Sequence, residues 1–235
     1  MAAEPERVLR MREASEAVEA IGWRYLLGTL RTAVTVTSLA QGATVVAKAV
    51  EACAPDADRH LWCDLRADKV VLVLQSLDAA TVTDVDTTLA GRVSLAIREV
   101  GLTTSPDIAD ATSRAPQLVE IGVDALDIPA IRPFWKAAFA YEDETPTAAP
   151  TDALVDPQRQ GPAIWFQQMD APRPQRNRIH FDICVPHDEA QRRIATALAA
   201  GGRLLSDDRA PAFWVLADPE GNEVCITTWQ AREPD

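Results

Sequence analysis

Ala217-Asp218-Pro219-Glu220-Gly221-Asn222-Glu223-Val224-Cys225 is the stretch on which the reading of the second half of the chain turns. Pro219 fixes its own φ and Gly221 can take a left-handed backbone angle, so Asp-Pro-Glu-Gly-Asn reads as a tight turn. The turn sets Glu223 at the start of a strand that runs to Trp229. Outward from it, Phe213 to Ala217 and Leu204-Leu205 read as strands. Asp188 to Ala200 reads as a helix stopped by Gly201-Gly202, and Ile179 to Val185 as the strand before it. The same order stands further upstream. Leu118 to Val123 is a strand and Ile128 to Ala140 a helix anchored by Phe134, Trp135 and Ala138. Ala153 to Val155 and Ala163 to Met169 are strands, with a Pro-, Thr- and Ala-rich loop from Glu142 to Gln160. The pattern is βαβββ written twice, with about 60 residues between the starts of the copies.

These motifs resemble the glyoxalase-like members of the vicinal oxygen chelate superfamily. The resemblance rests on Asp124-Ala125 through Phe134-Trp135, on Asn177-Arg178-Ile179-His180-Phe181-Asp182, and above all on the closing turn. It implies that two βαβββ modules curl into one cup, with metal ligands from their first and last strands. Carried over position by position, it implies Glu120, His180 and Glu223 as ligands, with Glu223 also the proton-moving catalytic group. Gln167 stands for the fourth position. One His with two Glu suits zinc, nickel, manganese or ferrous iron. The set departs from the two-His-one-carboxylate set of ring-opening dioxygenases, because Glu120 stands where those enzymes use His.

Strand alternation adds a reading of its own. His180 shares a face with Asp182, and Glu120 with Gly122, which leaves Ile179, Phe181, Ile121 and Val123 for the helices. Carboxylates converging in a cup repel unless a cation or a proton joins them. The plainer alternatives are that Glu120 is a solvent-facing strand residue and that His180 and Glu223 are metal-free hydrogen-bonding groups. Arg178 is a candidate for holding an anionic substrate, or a surface charge. Of Trp165, Phe166, Phe213 and Trp214, one or two are expected to wall a pocket, Trp214 among them. His187 reads as a helix cap or surface residue.

The first half has a different rhythm. A helix from Ala14 to Ile21 ends at Gly22, and Trp23 to Leu30 and Thr32 to Thr37 read as strands. A helix follows over Leu39 to Cys53, then strands Leu61 to Leu65 and Val70 to Leu74 turning through Ala67-Asp68. A helix capped by Thr83 runs to Val100 and stops at Gly101. This αββαββα order resembles pterin-4a-carbinolamine dehydratase over roughly Ala14 to Leu102. The matching residues are Asp58-Arg59-His60-Leu61, Ser76-Leu77-Asp78 and Thr81-Val82, with Asp86 at the closing aspartate. The resemblance implies helices on one face of a four-stranded antiparallel sheet and a pocket around His60, Asp58 and Asp86. Arg59 and Leu77 stand where that family has histidines, and neither exchanges a proton near neutrality. Dehydratase chemistry would rest on His60 alone.

The expected organisation is therefore α+β in two domains, 1–104 and 116–235, joined by a linker over 105–115. The 235 residues, 47% of them hydrophobic, suffice for two cores. A net charge of −12, spread over both halves, argues against a nucleic-acid partner. No apolar run approaches the roughly 18 residues of a membrane helix, and the charged Met1 to Arg12 lacks the apolar run of a secretory signal, so a cytoplasmic protein is expected. Cys53, Cys63, Cys184 and Cys225 form no C-x-x-C pair, and Cys184 and Cys225 read as reduced, buried thiols. Both resemblances imply a homodimer. Three functions follow: a metal-assisted lyase or isomerase, a metal-free protein sequestering a small molecule, and a residual pterin dehydratase.

Overall fold

The computed structural model describes residues 6–106, 118–172 and 179–231. The chain divides into two compact units, Met1–Leu118 and Val119–Asp235. Most of the expected linker, residues 107–115, lies outside the described residues, as does Arg178.

In the first unit α1 (Met11–Val18) runs into a 3-10 turn (Glu19–Ile21) that ends at Gly22, φ 82°. There follow β1 (Arg24–Leu26), β2 (Thr29–Thr35), α2 (Leu39–Cys53), α3 (Ala57–His60), β3 (Leu61–Leu65), β4 (Lys69–Leu74) and α4 (Asp84–Glu99). The sheet order is β1-β2-β4-β3, antiparallel throughout. The strand expected over Trp23 to Leu30 is broken: Leu27 and Gly28 both take positive φ, 42° and 73°, and turn β1 back onto β2. Two consecutive left-handed residues match the twist of a tight hairpin. α4 begins with a capping box, Thr83 and Asp86 each bonding the other's backbone N–H. Leu30 and Val34 of β2 and Val70, Leu72 and Leu74 of β4 bury one sheet face with Val45 and Ala49 of α2 and Leu89, Val93 and Ile97 of α4. Each of these Val, Leu and Ile side chains contributes about 1.5–3 kcal/mol.

The second unit runs β5 (Glu120–Ala125), α5 (Ile128–Phe139), β6 (Glu142–Asp143), β7 (Leu154–Val155) and β8 (Ala163–Gln168). It then runs β9 (Phe181–Cys184), α6 (Ala190–Ala199), β10 (Arg203–Ser206), β11 (Phe213–Ala217) and β12 (Glu223–Thr227). Its two sheets have the same order, β5-β8-β7-β6 and β9-β12-β11-β10. In each, the first strand of the module pairs in parallel with the last and the other pairings are antiparallel. The βαβββ repeat thus folds twice into the same four-stranded topology. One apolar core serves both copies: Val123, Ile131, Phe134, Trp135, Ile164 and Phe166 meet Ile194, Ala197, Trp214, Leu216, Val224 and Ile226.

Three expectations change here. Trp214 faces the helices and lies in the core rather than on a pocket wall. Cys184 is exposed, not buried, because it shares its strand face with Asp182 instead of Phe181. Ile179 precedes β9 and is 73% exposed, although Phe181, Ile121 and Val123 do face the core. Among the described residues, no helix is long and apolar enough to cross a membrane.

Candidate functional site

The closing turn joins the two modules. Asp218 is fully buried; its Oδ1 accepts from the backbone N–H groups of Glu220 and Asn222. Its Oδ2 accepts from Asn222 Nδ2 and, at 3.0 Å, from Trp135 Nε1 on α5. Gly221 takes φ 97°, as the turn requires. The Glu220 carboxylate accepts from Leu126 and Asp127 N–H just ahead of α5, where the unsatisfied amides of a helix start favour an anion. The strand positions of β12 and β5 are thereby fixed to each other through side chains of the turn.

With the apolar faces of both sheets given to the helices, the polar residues lie on the opposite, open faces. On the second sheet Cys225 pairs with Asp182 and Val224 with Phe181, so Glu223, Cys225, His180 and Asp182 share one face. His180 Nδ1 stands 3.5 Å from Asp182 Oδ1 and 3.9 Å from Cys225 Sγ. One ligand atom from each of these three residues lies within 4.8 Å of the others. The His180–Asp182 separation is that of adjacent corners around a four-coordinate ion with bonds of about 2.0–2.3 Å, and Cys225 would have to draw in slightly to complete it. His180 and Asp182 are exposed and Cys225 is buried. Among the described residues this is the group able to hold a metal; Glu120 and Glu223 are not members of it.

On the first sheet's open face Gly122 pairs with Trp165 and Asp124 with Gln167. The Trp165 ring lies over Gly122 so closely that a Cβ there would sit 3.0 Å from Cζ2. Trp165 is nonetheless 40% exposed, and so offers a flat aromatic surface beside the exposed Glu120 and Gln167. Burial pushes the Glu144 carboxyl up; Arg159 opposes this, and Asp152 and Glu120 add to it. Glu120 therefore stands among other acidic groups.

In the first unit His60 and Asp86 are both fully buried, with His60 Nδ1 2.8 Å from Asp86 Oδ1. Asp86 Oδ2 also accepts from Ser76 N–H, Thr83 N–H and Thr83 Oγ1. The other ring nitrogen, Nε2, lies 3.2 Å from Glu6 Oε1. Asp58 is exposed on α3. Burial on its own would raise the Glu6 carboxyl, but Ser76, His60 and Thr83 hold it below the usual carboxylate range. Burial pushes the Cys53 and Cys63 thiols up to about 12 and about 11.

Residues 120–227 match the family model described as a glyoxalase-like domain. The second unit is a glyoxalase-like domain. No curated protein matches the chain. Among solved structures, the chain is similar to the fosfomycin resistance protein FosX from Mesorhizobium loti, at 10% identity and a TM-score of 0.40, over 51% of this chain and 96% of that one. It is similar to a glyoxalase-related enzyme from Fulvimarina pelagi, at 19% identity and a TM-score of 0.38, over 48% and 87% of the two chains. A transcriptional coactivator/pterin dehydratase from Brucella melitensis is similar at 19% identity and a TM-score of 0.35, over 38% of this chain and 98% of that one.

Of the residues singled out from sequence in the glyoxalase-like domain, His180 is the one found in the converging group. Glu223 opens β12 two positions before Cys225 and on the same face as it. Glu120 opens β5 on the other sheet, and Gln167 is exposed on β8 with its amide donating to the Gln168 carbonyl. Asp182, Cys225 and Trp165 belong to the open faces as well. Asp182 was legible as a strand-mate of His180, and Trp165 as one of four aromatics from which a pocket wall could come; its place opposite Gly122 follows from the β5–β8 register. Cys225 had no such signal.

Proposed function

We propose that the glyoxalase-like domain binds a small molecule against the open faces of its two sheets and, with a divalent cation, acts on it as a lyase or isomerase. The observation that supports this is the approach of His180, Asp182 and Cys225. A nitrogen, a carboxylate and a sulfur at these distances fit zinc best, with manganese, nickel and ferrous iron as harder alternatives. Three protein donors leave a coordination position for a ligand, where the cation would polarise a ligand oxygen.

The chain's own groups supply the rest. Glu223, on the same strand face as Cys225, is the carboxylate proposed to take a proton from the carbon next to a ligand carbonyl. Trp165 offers its ring to a planar or apolar part of the ligand, and Gln167 an amide to hydrogen-bond it. Glu120 is assigned to the acidic wall beside Glu144.

Elemental analysis of tag-free protein titrated with Zn²⁺, Mn²⁺, Ni²⁺ and Fe²⁺ tests the reading. One equivalent bound, and lost in His180→Ala and Cys225→Ser, is the expected result. Unchanged metal content in those variants would remove the metal from the proposal. The exposed ring of Trp165 favours one second reading, a metal-free protein that sequesters an aromatic compound. Ligand binding indifferent to chelator would select it.

A further inference from the structure

The first unit holds a carboxylate in a setting that its donors do not need for their own placement. His60 is fixed by Asp86, and Asp86 is fixed by two backbone N–H groups and the Thr83 hydroxyl. Arg59 is tied to Asp56 and Asp78, and its carbonyl accepts from Leu77 N–H. Taking Glu6 away would leave all of these anchors in place. Yet Arg59 at 3.1 Å, His60 Nε2 at 3.2 Å and the Ser76 hydroxyl converge on the Glu6 carboxylate, with Thr83 Oγ1, whose proton serves Asp86 at 2.9 Å, standing 3.3 Å away.

Glu6 arrives on a strap clasped to the rest by few bonds. Leu9 N–H donates to the Val82 carbonyl, Asp84 N–H to the Arg7 carbonyl, and Arg7 N–H to Asp84 Oδ1. The donors are thus built into α3, the segment just after β4 and the start of α4, while the acceptor comes from a separate segment. That is the arrangement of a site and its occupant. A guanidinium, a hydroxyl and a ring nitrogen around one carboxylate give charge-assisted bonds, the strong kind.

We infer that the hollow formed by Arg59, His60, Ser76 and Thr83 is a recognition site for the carboxylate of a small acid, filled here by Glu6 of the chain's own strap. The occupant's two methylenes and carboxylate define the ligand class as a short carboxylic acid with an apolar stem. The site is separate from the open faces of the glyoxalase-like domain and stands or falls without them.

The test is cavity rescue in the full chain with Glu6→Ala, using propionate as the probe and chloride at equal ionic strength as the control. Saturable stabilisation of the variant by propionate, read as a rise in the first unit's thermal midpoint of several degrees, is expected. If Glu6→Ala does not fold, propionate should restore the folded state. Adding Arg59→Ala should weaken the propionate effect roughly tenfold, the loss of one charge-assisted bond. Propionate that acts no differently from chloride, on a folded or an unfolded Glu6→Ala chain, overturns the inference.

Discussion

Trp135 Nε1 donates to Asp218 Oδ2 across 3.0 Å, with both side chains buried, and so ties the helix of one βαβββ module to the last turn of the other. Asp218 has three further donors, two of them backbone N–H groups of the turn. Asp218→Ala takes the acceptor from the buried indole N–H and from three part-buried donors of the turn. The expected cost is about 3 kcal/mol, and Asp218→Asn about half that, because the amide keeps one acceptor oxygen. Urea unfolding of the glyoxalase-like domain measures both; a loss under about 1 kcal/mol for the alanine variant would show that the turn holds its shape without its central carboxylate.

The turn shows what the sequence carries well. Asp-Pro-Glu-Gly-Asn marks a conformation that few residues other than proline and glycine adopt, so it is legible locally, and so is the repeated βαβββ order. Parity is the weaker signal. In Phe213-Trp214-Val215 both faces are apolar, and only packing against α5 and α6 puts Trp214 inside and leaves Trp165 as the open-face aromatic. Cys225 in an apolar run reads as core, and it is buried. Its approach to His180 depends on a parallel pairing between residues 43 positions apart. Glu6 gave no signal at all, since its contact with His60 spans 54 positions. The turn at Leu27-Gly28 was missed because leucine seldom accepts a positive φ.

Trp165 and Gly122 make a second pair whose coupling can be measured. A Cβ at Gly122 would be tight against the indole, but the ring is partly exposed and has room to swing outward. Gly122→Ala is therefore expected to change stability by less than about 1 kcal/mol while displacing the ring from the sheet. Comparing tryptophan emission with a Trp165→Phe reference should show a red shift assigned to that residue. An unshifted spectrum would mean that the ring is held by something other than the bare backbone beneath it.

The four thiols should separate by reactivity. Cys184 is exposed, whereas burial pushes the Cys53 and Cys63 thiols well above the pH of ordinary labelling. In native protein at pH 8 a disulfide reagent should titrate Cys184 first, with Cys53 and Cys63 reacting only on unfolding. On the proposed metal reading, Zn²⁺ should slow the modification of Cys225 more than that of Cys184. Peptide mapping after timed labelling checks the order, and fast modification of Cys53 would contradict its burial at the end of α2.

The Glu6–His60 contact sets a pH dependence whose sign follows from its cause. The carboxyl is held below its ordinary value of 4.5 in the folded protein, and returns to it on unfolding. A group lowered in this way contributes stability that is fully present above the unfolded value and is lost as pH falls through the folded one. Glu6→Gln has no such proton to take up. The variant should be less stable than the parent by roughly 1–2 kcal/mol above about pH 5, the worth of charge-assisted bonds in a partly dry setting. The gap should narrow as pH falls below 4.5. Asp143, also held low by Lys136 and Arg132, titrates in the same direction but equally in both proteins, so the difference isolates Glu6. Urea unfolding followed through amide signals of α4 at a series of pH values reads this out. A gap that stays constant to pH 3 would mean that Glu6 is held by its strap rather than by the donors around it.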